Sequence, residues 1–255
     1  LPAVSSLRNG AVGALMEKPK YQLEKPFDPS TAHPDDAHSQ IVNLVPPNAR
    51  VLEIGCASGY LSGYLTRRKG CTVTGVEIDP RAVEIAANYC QRVINGDIED
   101  PATLNQVEGE FDVLLLAAVL EHLKHPERVL TRLRNHLAPG GLAIVSLPNV
   151  AHWRIRLQLL RGRFDYQDYG VMDRTHLHFY TVKSGRELIE ASGYTVIDLR
   201  VAGSLVQHAA NRLARAMGRE KAPNILPGLL GYEIIYRARL QNCEMTGGLR
   251  ARSRR

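Results

Sequence analysis

The chain of 255 residues contains no run of eighteen apolar residues, and that absence excludes a helical membrane span. Its first fifteen residues are too weakly apolar, and too broken by Gly10 and Gly13, to read as a secretory signal. The four cysteines, Cys56, Cys71, Cys90 and Cys243, form no CxxC pair. A structural zinc site is therefore not expected, and the thiols read as the reduced cysteines of a cytoplasmic protein. Net positive charge is also small outside the tail: of the net +6, four charges come from Arg250, Arg252, Arg254 and Arg255. The remaining body is close to neutral, which argues against a nucleic-acid surface. There is no internal repeat and no low-complexity segment.

What is present is ordinary for a globular protein, with 44% apolar and 23% charged residues. The length suits one core. Residues 1–20 read as a flexible tail, 21–244 as a single domain and 245–255 as a basic tail. Pro34, Asp35 and Asp36 suit a helix start, with preset φ and acidic charge at the positive dipole end. That helix runs to Val45, where Pro46 and Pro47 stop it. A regular alternation of apolar runs and amphipathic segments follows, which is the pattern of parallel strands joined by crossover helices. Strands are expected at Arg50–Ile54, Thr72–Glu77, Arg92–Asn95, Val113–Leu116 and Leu142–Leu147, the last entered through a Pro139-Gly140-Gly141 turn that exits a helix. A segment of about 149–180, rich in Arg, His and aromatics, reads as an insertion over the carboxyl edge of the sheet. Beyond it come a helix at Lys183–Ser192, a strand at Tyr194–Val201, a helix from Leu205 to Met217 and a strand at Tyr232–Leu240.

The chemistry is written at three successive strand ends. Val51-Leu52-Glu53-Ile54-Gly55-Cys56-Ala57-Ser58-Gly59 is a buried strand turning through two glycines into a helix, where a ligand can approach the backbone closely. Glu77, twenty-two residues after Gly55, ends the second strand and can accept from both hydroxyls of a ribose. Asp97, after the third strand, can take the amine of adenine, with Ile98 beside it. The turn spacing is not G-x-G-x-x-G and carries no basic residue. Glu53 would repel a pyrophosphate but suits the ammonium of a methionine tail.

In these residues the chain resembles the class I S-adenosylmethionine-dependent methyltransferases, over roughly residues 38–240. The resemblance implies a Rossmann-like α/β fold: a seven-stranded, mostly parallel sheet in the order 3-2-1-4-5-7-6, with helices on both faces. It implies S-adenosylmethionine as cofactor and S-adenosylhomocysteine as product. Glu53, Gly55, Ala57 and Gly59 would hold the methionine end, Glu77 the ribose, Ile78, Asp97 and Ile98 the adenine. Ala57 stands where the family has glycine. Ala117 stands where relatives often carry a polar residue, which leaves its carbonyl to meet the ammonium.

A hydroxyl acceptor needs a base, and histidine suits neutral pH. His176, in Asp173-Arg174-Thr175-His176-Leu177-His178, competes for that role with His122, expected to begin the helix after the fourth strand. Asp173 is the group expected to fix the tautomer of His176. Each histidine has a structural alternative, which for His122 is that of a helix-start residue bonded to a neighbouring backbone. Leu147-Pro148-Asn149-Val150 together with Asp173-Arg174-Thr175-His176-Leu177 is similar to a bacterial subgroup found beside glycosyltransferases and tailoring enzymes. That similarity implies a small-molecule or glycan acceptor, with no metal. Trp153, Phe164, Tyr166 and Tyr169 either line a pocket for a ring or anchor the insertion. Arg154, Arg156, Arg161 and Arg163 either meet an acceptor phosphate or form a solvated face. Two other functions stay open: a cofactor-binding partner protein without turnover, and an N- or nucleic-acid methyltransferase.

Overall fold

The computed structural model describes residues 27–30, 32, 36–219 and 222–241. The two expected tails, Pro34, Asp35 and Cys243 lie outside the described residues. The first helix, α1 (Ala37–Leu44), opens at Asp36, whose carboxylate accepts from the N–H of Ser39. The chain then alternates β1 (Arg50–Ile54), α2 (Tyr60–Lys69), β2 (Thr72–Glu77), α3 (Pro80–Ala86), β3 (Arg92–Asn95), α4 (Pro101–Leu104) and β4 (Phe111–Ala117). Both short helices after β2 and β3 start with an Asp cap and a proline at their first position: Asp79 accepts from Arg81 N–H and Asp100 from Ala102 N–H. After β4 come a 3₁₀ turn at Leu120–His122, α5 (Pro126–Leu133), β5 (Leu137–Pro148), α6 (Trp153–Leu160) and α7 (Val182–Ala191). The chain then closes with β6 (Tyr194–Ala202), α8 (Leu205–Ala216), α9 (Pro227–Leu230) and β7 (Glu233–Leu240).

The seven strands form one sheet in the order β3-β2-β1-β4-β5-β7-β6, and β7 runs antiparallel to both neighbours. Helices cover both faces, so every central strand is apolar on both sides. Leu52 and Ile54 of β1, with Leu114 and Leu116 of β4, pack toward α5 and α7 residues such as Leu130, Leu133 and Ile189. Val51, Val113 and Leu115 face the other way, onto Ile41, Leu61 and Leu65 of α1 and α2. This two-residue alternation of equally apolar side chains is the reason a continuous hydrophobic run can still specify a register.

Two local expectations are corrected. Pro139-Gly140-Gly141 is not a helix exit ahead of the fifth strand but a bulge inside it: the pairing jumps from Phe111↔Leu137 to Val113↔Leu142, and Gly140 sits at φ +77°. His122 does not begin a helix. It closes the 3₁₀ turn, and α5 starts later at Pro126, the position at which a proline is tolerated and helix geometry becomes available. No helix among the described residues is long and apolar enough to cross a membrane.

Candidate active site

The carboxyl ends of β1, β2, β3 and β4 open into a cavity of about 800 Å³, closed on its far side by the 149–180 segment. The glycine turn after β1 is fastened to β2. Gly55 and Cys56 N–H groups both donate to the Val76 carbonyl, at 2.8 and 3.2 Å, and Ala57 N–H donates to Glu77 Oε2 at 2.8 Å. Asp79 N–H donates to the other oxygen, Oε1, at 2.9 Å. Glu77 is therefore a rigid carboxylate on the cavity wall whose second lone pairs face outward. Asp97 lines the same wall with its Oδ1 accepting from Glu99 N–H at 2.9 Å. Ile98 is buried beneath it and Ile78 is 64% exposed at the rim, so two apolar surfaces flank the space between the acids. Ala117 lines the cavity beside Ala118, whose φ is +53° and whose N–H is held by the carbonyl and hydroxyl of Ser146.

Two of the predicted positions, Gly59 and Glu53, stand outside the cavity lining. Gly59 caps α2 at φ +74°, and a Cβ there would stand 3.0 Å from Ala86 Cα and 3.1 Å from Tyr89, so its missing side chain admits helix α3 rather than a ligand. Ala57 is on the wall but at φ +47°, the left-handed conformation that explains a preference for glycine at this position. Glu53 is only 2% exposed and is not among the cavity-lining residues; its carboxylate accepts from the hydroxyl of Ser62 in α2. Burial pushes that carboxyl up to about 8, against the pull of the Ser62 hydrogen bond.

The opposite wall is built from the 3₁₀ turn after β4 and the 149–180 segment. The backbone carbonyl of Glu121 accepts from both Leu177 N–H (2.8 Å) and His178 N–H (3.1 Å), which pins the two segments together. His122 and His176 consequently stack edge to face with ring centroids 4.8 Å apart. Nδ1 of His176 lies 3.1 Å from the Val171 carbonyl, which holds the ring at that nitrogen. Asp173 is buried, and its Oδ1 accepts from the N–H and the hydroxyl of Thr175. Thr175 in turn contacts Nδ1 of His122 through its hydroxyl at 3.2 Å and its carbonyl at 3.3 Å. A carbonyl can only accept, so both neutral rings carry their proton on Nδ1 and their basic lone pair on Nε2.

Glu121 is the residue that sequence reasoning overlooked. It is 1% exposed, lines the cavity, and both its carboxylate oxygens are buried without a hydrogen-bond partner. Burial pushes its carboxyl up to about 8. The signal for it was an acid inside the apolar run Val119-Leu120-Glu121-His122-Leu123. Among the candidate ring-binding aromatics, Tyr169 lines the cavity. Phe164 and Tyr166 pack on Phe179, and Trp153 lies by His152 with the Arg154 guanidinium over its ring. Arg154, Arg156, Arg161 and Arg163 are exposed and absent from the wall.

Comparison with known proteins agrees with this geometry. A family profile described as a methyltransferase domain matches residues 28–199. The ubiquinone biosynthesis O-methyltransferase of Caulobacter sp. strain K31 is 38% identical over 104 residues, which is 39% of this chain and 41% of that protein. The mitochondrial ubiquinone biosynthesis O-methyltransferase of Schizosaccharomyces pombe is 33% identical over 102 residues, 38% of this chain and 37% of the other. The chain thus spans about two fifths of the length of these curated relatives. Magnesium protoporphyrin IX methyltransferase from Synechocystis PCC 6803, solved with its demethylated cofactor product bound, shares the fold with TM-score 0.54 and 16% identity, covering 80% of this chain and 82% of that one. The CcbJ methyltransferase from Streptomyces caelestis does so with TM-score 0.56 and 14% identity, over 85% and 93%. By its matched residues, strand order and glycine turn, the chain belongs to the class I S-adenosylmethionine-dependent methyltransferases.

Proposed function

We propose that the chain binds S-adenosylmethionine across the ends of β1, β2 and β3 and moves its methyl group to a hydroxyl oxygen of a small molecule or glycan. The observation that carries this reading is a single cavity with Glu77 and Asp97 at one end and His122 and His176 at the other. When bound, the cofactor supplies an electrophilic methyl carbon. Glu77, already oriented by two backbone N–H groups, accepts from the two ribose hydroxyls. Asp97 takes the amine of adenine, with Ile78 and Ile98 against the ring. The Ala117 carbonyl meets the ammonium, while Glu53 supports the turn from beneath through Ser62.

Displacement at the methyl carbon needs the acceptor oxygen held roughly 3 Å away in line with the leaving sulfur. The 149–180 segment supplies that wall through Tyr169 and Val171. The acceptor proton leaves toward the paired imidazoles, His176 ordered by Val171 and His122 by Thr175, itself anchored on Asp173. The stretch matched to the two ubiquinone biosynthesis O-methyltransferases supports oxygen as the accepting atom. The test is methyl uptake from labelled S-adenosylmethionine with phenols, sugar nucleotides and amines. Label on hydroxyl acceptors is the expected result. Label on amines alone overturns the oxygen reading, and cofactor binding with no turnover on any acceptor leaves a cofactor-binding protein.

A further inference from the structure

We propose that Glu121, His122 and His176 hold a divalent transition-metal ion, and that this ion binds the acceptor's hydroxyl oxygen. The inference deepens the methyltransferase reading and rests on it for the identity of that oxygen. One ligand atom from each of the three side chains lies within 4.8 Å of the other two. A tetrahedral site with ligands at about 2.0–2.2 Å would bring such atoms to about 3.4 Å from one another.

The second observation is independent of that spacing. Both oxygens of Glu121 are buried without a partner. As a carboxylate it is an uncompensated buried charge; as a neutral acid its O–H has no acceptor. Either form is unfavourable where it stands. A cation between Glu121 and the two rings removes that cost. The third observation is the orientation of the rings: a metal-bound imidazole characteristically has its other nitrogen held by a carbonyl or carboxylate, and Nδ1 of His176 and of His122 lie against the carbonyls of Val171 and Thr175.

Two imidazoles and one carboxylate select Zn²⁺, Co²⁺, Fe²⁺ or Mn²⁺ over Mg²⁺ and Ca²⁺, which take oxygen ligands. Three protein ligands leave a coordination position open, as in catalytic sites. With their lone pairs on the metal the two imidazoles no longer take the acceptor's proton: a hydroxyl bound at the open position loses it to solvent water at neutral pH, because the metal stabilises the oxyanion. The oxygen lone pair then forms the O–CH₃ bond while the C–S pair leaves with sulfur, so the sulfonium becomes a neutral thioether and no redox change occurs.

The test uses the full chain, stripped with a chelator and titrated with Co²⁺, Zn²⁺ and Mg²⁺, alongside E121Q and H176N. Expected is one Co²⁺ per chain with the visible absorption of a low-symmetry site, displaced by Zn²⁺, and affinity lowered about 100-fold or more in each variant. Calorimetry with S-adenosylhomocysteine should give unchanged affinity in both variants, which shows them folded. Equal Co²⁺ binding by wild type and variants overturns the proposal, as does a preference for Mg²⁺. So does chelator-resistant turnover whose pH profile loses a histidine step in H176N, which makes the cluster a bare general base. A chain that takes Co²⁺ but not S-adenosylhomocysteine refutes the methyltransferase reading and leaves the metal site standing.

Discussion

Replacing Glu53 by Gln tests how the turn is supported. The Glu53 carboxyl lies in β1 beneath the glycine turn and is wholly buried, and that burial pushes it up to about 8 from 4.5, with Cys90 and Glu77 adding repulsion. A carboxyl whose folded value is raised binds its proton more tightly in the folded chain. Its contribution is therefore fully favourable below pH 4.5 and is lost as the pH rises through 8. Between those values the folded state holds one proton that the unfolded state has released, and stability falls by about 1.4 kcal/mol per pH unit, a total of about 5 kcal/mol. Glutamine keeps an acceptor for Ser62 and has no proton to lose. The stability gap between E53Q and the wild type should thus be small near pH 4.5, widen steadily, and level off above pH 8. Urea unfolding followed by circular dichroism at several pH values reads this directly, provided the denaturant slope is unchanged. A gap that stays constant from pH 5 to 8 refutes the reasoning: the charge on Glu53 would then be accommodated, and the carboxylate would be a partner for the cofactor's ammonium.

A57G should stabilise the fold by about 0.5–1 kcal/mol, because relief of the left-handed conformation at φ +47° exceeds the entropy glycine adds to the unfolded chain; thermal unfolding checks it as a rise of a few degrees. G59A should do the opposite, by about 2–4 kcal/mol, since it combines a positive φ with a Cβ 3.0 Å from Ala86; an unchanged melting temperature would mean α3 moves freely. E77A should weaken S-adenosylhomocysteine binding by about 100-fold through two lost hydrogen bonds to a charged group, and calorimetry showing less than a threefold loss would place the ribose elsewhere.

Much of the fold was legible because its signals are local. The bounds of β1, β2 and β3 follow from apolar runs closed by Gly55, Glu77 and Asn95, and the structure reproduces them residue for residue. The long β5 was not legible, since Pro139-Gly140-Gly141 carries the same composition whether it makes a turn or a bulge; only pairing with Phe111 and Val113 distinguishes them. The late start of α5 could have been read from Pro126. The site divides in the same way. Gly55, Glu77 and Asp97 were found together because an open parallel sheet places consecutive strand ends side by side. Glu53 and Gly59 flank the turn in the sequence, but which of their neighbours they face depends on how α2 and α3 pack on the sheet.

The amino-acid order alone determined the half proposed to hold the cofactor, because each of its elements is a short strand, a turn and an acid within ten residues of one another. Tertiary structure alone decided the other half. Glu121 and His122 stand more than fifty residues from His176, and nothing in either segment names the other. They meet because the Glu121 carbonyl captures the amides of Leu177 and His178, a backbone contact blind to side-chain identity that nonetheless fixes which side chains share the cavity.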